Sequence, residues 1–291
     1  MTHRQRAVGW FCSAWLLIVL SGCSALQVIS ATSPASHYHK SAGLRYADGD
    51  RGLLDLYHPI DVDDPATTIV FFYGGGWRNG ERRKYEFVAS ALTRAGFRVV
   101  IPDYRLYPEV RFPGFIQDAA RAVAWAQEYL ASGHPDSEST LPIFLMGHSA
   151  GAQIAALLAV DPSYLSNESV PPETIAGLIG LSGPYDFLPL QSGYLQEVFP
   201  MEQRKASQPI HFVSAADPPT LLIHGQDDEV VEPGNAERFG RALEQAGVEV
   251  EIKRYPGTGH ATVAAALAPR LEFLADTLDD TIRFIERQQN R

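Results

Sequence analysis

Short runs of consecutive apolar residues alternate along this chain with longer stretches in which apolar positions recur every three to four residues. The runs at Leu53–Tyr57, Thr68–Phe72, Arg98–Ile101, Ile143–Met146, Ile175–Leu181, Thr220–His224 and Glu249–Tyr255 have the length and branching of strands. Between them, Tyr85–Arg94, Phe115–Leu130, Ala150–Val160 and Asn235–Ala246 have the spacing of amphipathic helices, and Arg270–Arg287 reads as a closing helix. Strands that alternate with helices predict a mostly parallel sheet with helices on both faces. The stretch from Ser182 to Pro219 is too long for a simple connection and is expected to form a small excursion over one end of the sheet, where ligands bind in such folds.

The first residues follow a different pattern. Arg4 and Arg6 precede an apolar segment from Ala7 to Leu20, a basic region and hydrophobic region of signal-peptide length, too short to cross a bilayer comfortably. The segment ends in Leu20-Ser21-Gly22-Cys23, which resembles the lipobox of bacterial lipoproteins. That resemblance implies cleavage before Cys23, acylation of its thiol and anchoring to a membrane of the bacterial cell envelope, with several acyl chains giving stable attachment. The expected organisation is a signal peptide over residues 1–22, a lipid-anchored linker over 23–42 with His37 and His39 in solvent, and one catalytic domain over 43–291 outside the cytoplasm.

Composition narrows the function. At 45% hydrophobic and 20% charged, the chain can build a large core. Its formal net charge of −10, with no basic cluster, opposes a polyanionic partner and argues against nucleic-acid binding. The two cysteines, Cys12 and Cys23, both lie in the leader region, so the folded part has neither a disulfide nor a cysteine zinc site.

The candidate chemistry lies at strand ends. Gly147-His148-Ser149-Ala150-Gly151 follows a strand and opens a helix, the context in which G-x-S-x-G forms a sharp turn that exposes a nucleophilic serine. A serine hydroxyl needs a base, and the base needs a carboxylate to orient it. In this arrangement the chain order is Ser, then Asp or Glu, then His. Ser149, the pair Asp227-Asp228 and His260 occur in that order, each just after a strand, with His260 read as lying in a flexible Gly257-Thr258-Gly259-His260 loop. Tyr73-Gly74-Gly75-Gly76-Trp77 follows another strand and can turn backbone N–H groups toward a developing oxyanion. His148 is expected to pack or hydrogen-bond beside the site, and His58, His134, His211 and His224 to be structural.

Taken together, Tyr73–Trp77, Asp103-Tyr104-Arg105-Leu106-Tyr107-Pro108-Glu109 and Gly147–Gly151 resemble the carboxylesterases related to hormone-sensitive lipase. Gly147–Ala152 with Leu181-Ser182-Gly183-Pro184-Tyr185-Asp186 is similar to arylformamidases and prenylcysteine methylesterases. The likeness spans about residues 44–287 and implies an α/β-hydrolase fold with a short insertion over the active-site end. By the family pattern Gly75, Gly76 and Ala150 would supply the oxyanion N–H groups. Tyr73 stands where the family usually has a histidine. The segment His224-Gly225-Gln226-Asp227-Asp228-Glu229-Val230-Val231 resembles the family's His-Gly-x-x-Asp-x-x-Val and favours Asp228 over Asp227 as the acid. A paired Asp103 and Arg105 are expected to brace the loop beneath the site. The implied activity is cofactor-free and metal-free hydrolysis of a small-molecule carboxylic ester through an acyl-enzyme. The alternatives are an arylformamidase-type amidase and a lipoprotein that keeps the fold without the chemistry.

Overall fold

The computed structural model describes residues 28–62, 67–133 and 142–290. Cys23 and the leader lie outside these residues. Eight strands form one sheet: β1 (Tyr38–Arg45), β2 (Leu53–Pro59), β3 (Thr68–Phe72), β4 (Arg98–Pro102), β5 (Ile143–His148), β6 (Ile175–Leu181), β7 (Thr220–Gly225) and β8 (Val250–Tyr255). Their spatial order is β1-β2-β4-β3-β5-β6-β7-β8. β2 runs antiparallel to both β1 and β4, and every other neighbouring pair is parallel. This is the α/β-hydrolase architecture.

The helices are α1 (Glu86–Arg94), α2 (Gly114–Gly133), α3 (Ala150–Val160), α4 (Pro162–Asn167), α5 (Gly193–Val198), α6 (Gly234–Ala246), α7 (His260–Ala265) and α8 (Thr277–Gln289). β3, β4, β5 and β7 are buried at every position, as strands covered on both faces must be. Ile69, Phe71, Leu145, Ile179 and Leu222 belong to one continuous core, and each such side chain contributes roughly 1.5–3 kcal/mol when fully removed from water. α3 differs from the expected amphipathic helix. It is buried at every position except Ala159, because it lies against β3, β5 and β6 and has no solvent face. No helix among the described residues is long and apolar enough to cross a membrane.

Three other expectations are corrected. From residue 28 on, the stretch expected as a linker up to residue 42 joins the domain. Ser30 Oγ donates to the Lys84 carbonyl at 2.7 Å, Ser90 Oγ to Pro34 at 2.7 Å, and His37 Nε2 lies 2.7 Å from the Ser90 carbonyl. From Tyr38 the chain, His39 included, forms β1 against β2. Its polar, small residues concealed an edge strand that buries only Tyr38. His260 opens α7 instead of sitting in a loop, because the alanine-rich run behind it is helix-forming and buries Val263, Ala264 and Ala265. The closing helix begins at Thr277, since Ala275 is fully extended and separates it from a single turn at Glu272–Leu274.

The Ser182–Pro219 excursion carries α5 and several single turns. Asn235 of α6 fastens its start by accepting from the N–H groups of Tyr185 and Asp186 at 3.1 and 3.0 Å. Arg238 pairs with Asp186 at 2.6 Å.

Candidate active site

The site assembles at the ends of β3, β5, β7 and β8, on four separate connections. Ser149 stands between β5 and α3 with φ +55° and ψ −122°, on the positive-φ side of conformational space where a side chain is strained. Close packing imposes that turn. A Cβ on Gly147 would lie 2.2 Å from the Gly151 carbonyl oxygen, and one on Gly151 would lie 2.0 Å from the Phe72 carbonyl oxygen. Both positions therefore exclude any side chain, and α3 can start directly above β3 with Ser149 projecting over the sheet.

Asp228 and His260 reach the same point from the far side. His260 Nε2 is 2.8 Å from Ser149 Oγ, and His260 Nδ1 is 2.8 Å from Asp228 Oδ2. An ionised carboxylate only accepts, so Nδ1 carries the proton and Nε2 offers its lone pair to the serine hydroxyl. Asp228 is buried, and burial alone would raise its pKa. Hydrogen bonds from His224, His260 and the Val231 N–H overcome that penalty and hold the carboxyl well below the usual carboxylate range. Its Oδ1 accepts from the Val230 and Val231 N–H groups, both at 2.9 Å. Asp227 is exposed, and no side-chain bond links it to His260 among the described residues.

The glycine loop faces Ser149 across the end of β3. Gly75 and Gly76 have φ of +142° and +61°, and a Cβ on Gly75 would lie 2.1 Å from the Asn79 carbonyl oxygen. The Gly75 carbonyl accepts from Arg78 and Asn79, closing the turn. The N–H groups of Gly75, Gly76 and Ala150 have no acceptor among the backbone bonds of the described residues. Those three groups are free to bind an anion, and Ala150 adds the positive end of α3.

Tyr73, at the position where a histidine is usual, braces this loop from below. It stacks on Tyr104 at 4.5 Å, and its hydroxyl receives Arg51 Nη1 at 3.2 Å. Tyr104 donates its own hydroxyl to the Tyr73 carbonyl at 2.7 Å. The expected Asp103–Arg105 brace is replaced by two others. Asp103 accepts from the backbone N–H of Arg82 at 2.8 Å and pairs with its guanidinium, while Arg82 Nε reaches Asp55 at 2.7 Å. Arg105 instead makes a two-pronged pair with Asp118 of α2, at 2.9 and 2.8 Å. The chain leaves the sheet after β4, and beyond it Asp103 meets Arg82 while Arg105 meets Asp118 of α2.

His148 is buried beside the site. Its Nε2 is 3.1 Å from the His260 carbonyl, its ring centroid lies 4.9 Å from that of His260, and its Nδ1 lies within 3.5 Å of the Tyr85 hydroxyl. Burial, reinforced by the neighbouring His260, lowers its pKa to about 3, so it stays neutral. Gln153 of α3 ties two loops together. Its Oε1 accepts from Trp77 Nε1 at 3.1 Å, and its Nε2 donates to the Ser207 carbonyl of the excursion at 2.9 Å.

Two contributors were not visible as such in the sequence. Gln153 is a polar residue in an apolar helix, which was its only signal. His224, expected from the sequence to be structural, places its Nε2 3.1 Å from Asp228 Oδ2. Its signal was the spacing, four residues before the acid in the quoted His-Gly-x-x-Asp pattern.

Comparison with known proteins accords with this geometry. A probable isoprenylcysteine alpha-carbonyl methylesterase of Oryza sativa subsp. japonica is 29% identical over 240 residues, which cover 75% of this chain and 57% of that protein. Esterase LipQ of Mycobacterium tuberculosis is 28% identical over 269 residues, covering 84% and 62%. The chain thus spans less than two thirds of the length of either relative. A crystal structure of esterase B from Lactobacillus rhamnosis superposes with a TM-score of 0.77 at 19% identity, covering 99% of this chain and 97% of that one, a likeness of fold. The BD-FAE family model matches residues 54–243, from β2 through α6. The chain belongs to the BD-FAE family.

Proposed function

We propose that this chain is a serine carboxylesterase that hydrolyses small or aryl carboxylic esters. The observation that carries this reading is the unbroken line of hydrogen bonds from Asp228 Oδ2 through both nitrogens of His260 to Ser149 Oγ, each contact 2.8 Å. His260 Nε2 takes the Ser149 proton as Oγ attacks the ester carbonyl. The tetrahedral oxyanion is held by the N–H groups of Gly75, Gly76 and Ala150. The imidazolium, stabilised by ionised Asp228, returns the proton to the departing alcohol and leaves Ser149 acylated. Water, deprotonated by the same imidazole, attacks the acyl-enzyme, and the acid leaves as Ser149 regains its proton. The hydrolase relatives named above support ester chemistry, and no step calls on a metal or organic cofactor.

The test is a panel of nitrophenyl esters of increasing acyl length beside N-formyl aryl amides, with wild type and Ser149→Ala. Turnover of esters that is lost in Ser149→Ala to the residual ~10³–10⁴-fold over water left by the oxyanion donors supports the reading. Preference for the formyl amides would favour the amidase alternative, and no turnover of either would favour a non-catalytic lipoprotein.

The cellular placement rests on the sequence. Residues 1–22 act as a lipoprotein signal, Cys23 carries the lipid, and the catalytic domain is held outside the cytoplasm on a membrane of the cell envelope. Metabolic labelling with a palmitate analogue should mark wild type and spare Cys23→Ala. Equal labelling of the two would remove the anchor.

A further inference from the structure

His224 occupies the penultimate position of β7 and is completely buried, one turn behind the acid. Its Nε2 faces two acceptors, the Val231 carbonyl at 3.0 Å and Asp228 Oδ2 at 3.1 Å. Its Nδ1 is buried and meets no hydrogen-bond partner among the described residues. These contacts fix the tautomer. A proton on Nδ1 would be a buried, unmatched donor, whereas Nε2 faces only acceptors and must donate. His224 is therefore the neutral Nε2–H form, sharing one N–H between a carbonyl and the carboxylate. Asp228 Oδ2 thus lies between two imidazoles, His260 Nδ1 at 2.8 Å on the catalytic side and His224 Nε2 behind it. Its other oxygen is occupied by two backbone N–H groups.

We propose that His224 is a positioning residue for the triad: its Nε2–H pins the oxygen of Asp228 that His260 uses and moderates the pull of that oxygen on the His260 proton. The proposal rests on the triad reading above and deepens it. A carboxylate with all its acceptor positions filled cannot rotate away from His260, so the imidazole keeps its aim at Ser149. The N–H dipole of His224 also points its positive end at the carboxylate. Removing it makes the potential at His260 more negative, favours the imidazolium, and moves the loss of free base to higher pH. The titratable groups facing His260 are Asp228, which accepts from its ring, and His148, whose ring lies beside it; His224 acts through Asp228. His148 is neutral throughout the working range, because burial and the neighbouring His260 lower its pKa to about 3. The acid limb therefore reports on the Asp228–His224 contact.

The experiment compares His224→Leu with His224→Gln, whose terminal N–H can reach the place of Nε2. The loss of one hydrogen bond to a buried charge corresponds to a ~10- to 100-fold fall in kcat. We expect that fall for His224→Leu, with KM changed less than about two-fold and the acid limb of kcat/KM moved to higher pH. His224→Gln should recover most of kcat and return the limb toward the wild-type position. A His224→Leu enzyme with kcat within about two-fold of wild type and an unmoved limb would overturn the proposal, as would equal losses in both variants, which signal packing alone. Should the leucine variant fail to fold, ¹⁵N-histidine spectra of the wild type decide. A neutral Nε2–H tautomer for His224 from pH 5 to 9 supports the proposal, and an Nδ1–H or charged ring overturns it. Activity surviving in Ser149→Ala would instead sink the triad reading, so the two failures are separable.

Discussion

The two halves of the site are held in place by different physics. On the nucleophile side, Ser149 and the glycine loop are fixed by backbone crowding, with Gly147 and Gly151 so close to neighbouring carbonyls that no Cβ fits. On the acid–base side the two connections also meet closely at one point, where a Cβ on Gly225 would lie 2.1 Å from the Thr258 carbonyl oxygen, but beyond it side-chain hydrogen bonds set the aim of Asp228 and His260. A Cβ on Gly259 would meet nothing closer than 3.7 Å. Steric fixing leaves no alternative geometry but gives no tuning. Hydrogen-bonded fixing can be adjusted one donor at a time. In the proposed mechanism the serine is held against its own backbone preference, while the histidine takes up a proton and releases it.

Asp228→Asn should break the second half most severely. An amide cannot accept from both imidazoles in the same way, and the triad acid contributes about 10⁴-fold to kcat. Asp227→Asn, on the exposed neighbour, should leave kcat nearly unchanged. Steady-state kinetics of the two variants side by side check this, and the reverse ranking would exchange their roles.

The first half should fail through folding. Gly151→Ala places a methyl 2.0 Å from the Phe72 carbonyl oxygen, and the shift it forces should cost about 3 kcal/mol or more. Gly193→Ala, where no atom lies within 4 Å and φ is not positive, should stay within about 0.5 kcal/mol of wild type. Urea unfolding of both variants measures the contrast. Equal stability would contradict the close apposition of β3 and α3.

His148 joins the two halves and gives the most graded effect. Its pKa is lowered from about 6.5 to about 3 by burial and by His260, so the unfolded chain binds its proton first. Its contribution to stability is complete above about pH 6.5 and declines as pH falls toward 3, with a slope of up to ~1.4 kcal/mol per pH unit. Glutamine can keep the donor to the His260 carbonyl without titrating. Urea midpoints across that range should flatten in His148→Gln, and identical slopes would contradict a buried, neutral His148.

The same contrast explains what the sequence disclosed. Crowding leaves glycines at fixed spacing, so Gly147–Gly151 and the Gly74–Gly76 run are legible in the sequence, as are the strands with continuous apolar runs. Hydrogen-bond partners leave no such trace when they come from distant elements. Arg82 is separated in sequence from Asp103 and Asp55, and Arg105 finds Asp118 on α2, so the expected Asp103–Arg105 pair was the natural misreading. β1 was concealed because an edge strand needs little apolar surface. α7 was concealed because Gly257 and Gly259 outweighed the alanines that follow.

The nucleophilic role proposed for Ser149 is tested most directly by locating the covalent adduct left by a fluorophosphonate. The purified protein is labelled, digested and mapped by mass spectrometry. One adduct is expected, on Ser149, with labelling greatly slowed in His260→Ala. No adduct, or an adduct on a different serine such as Ser182, would contradict it.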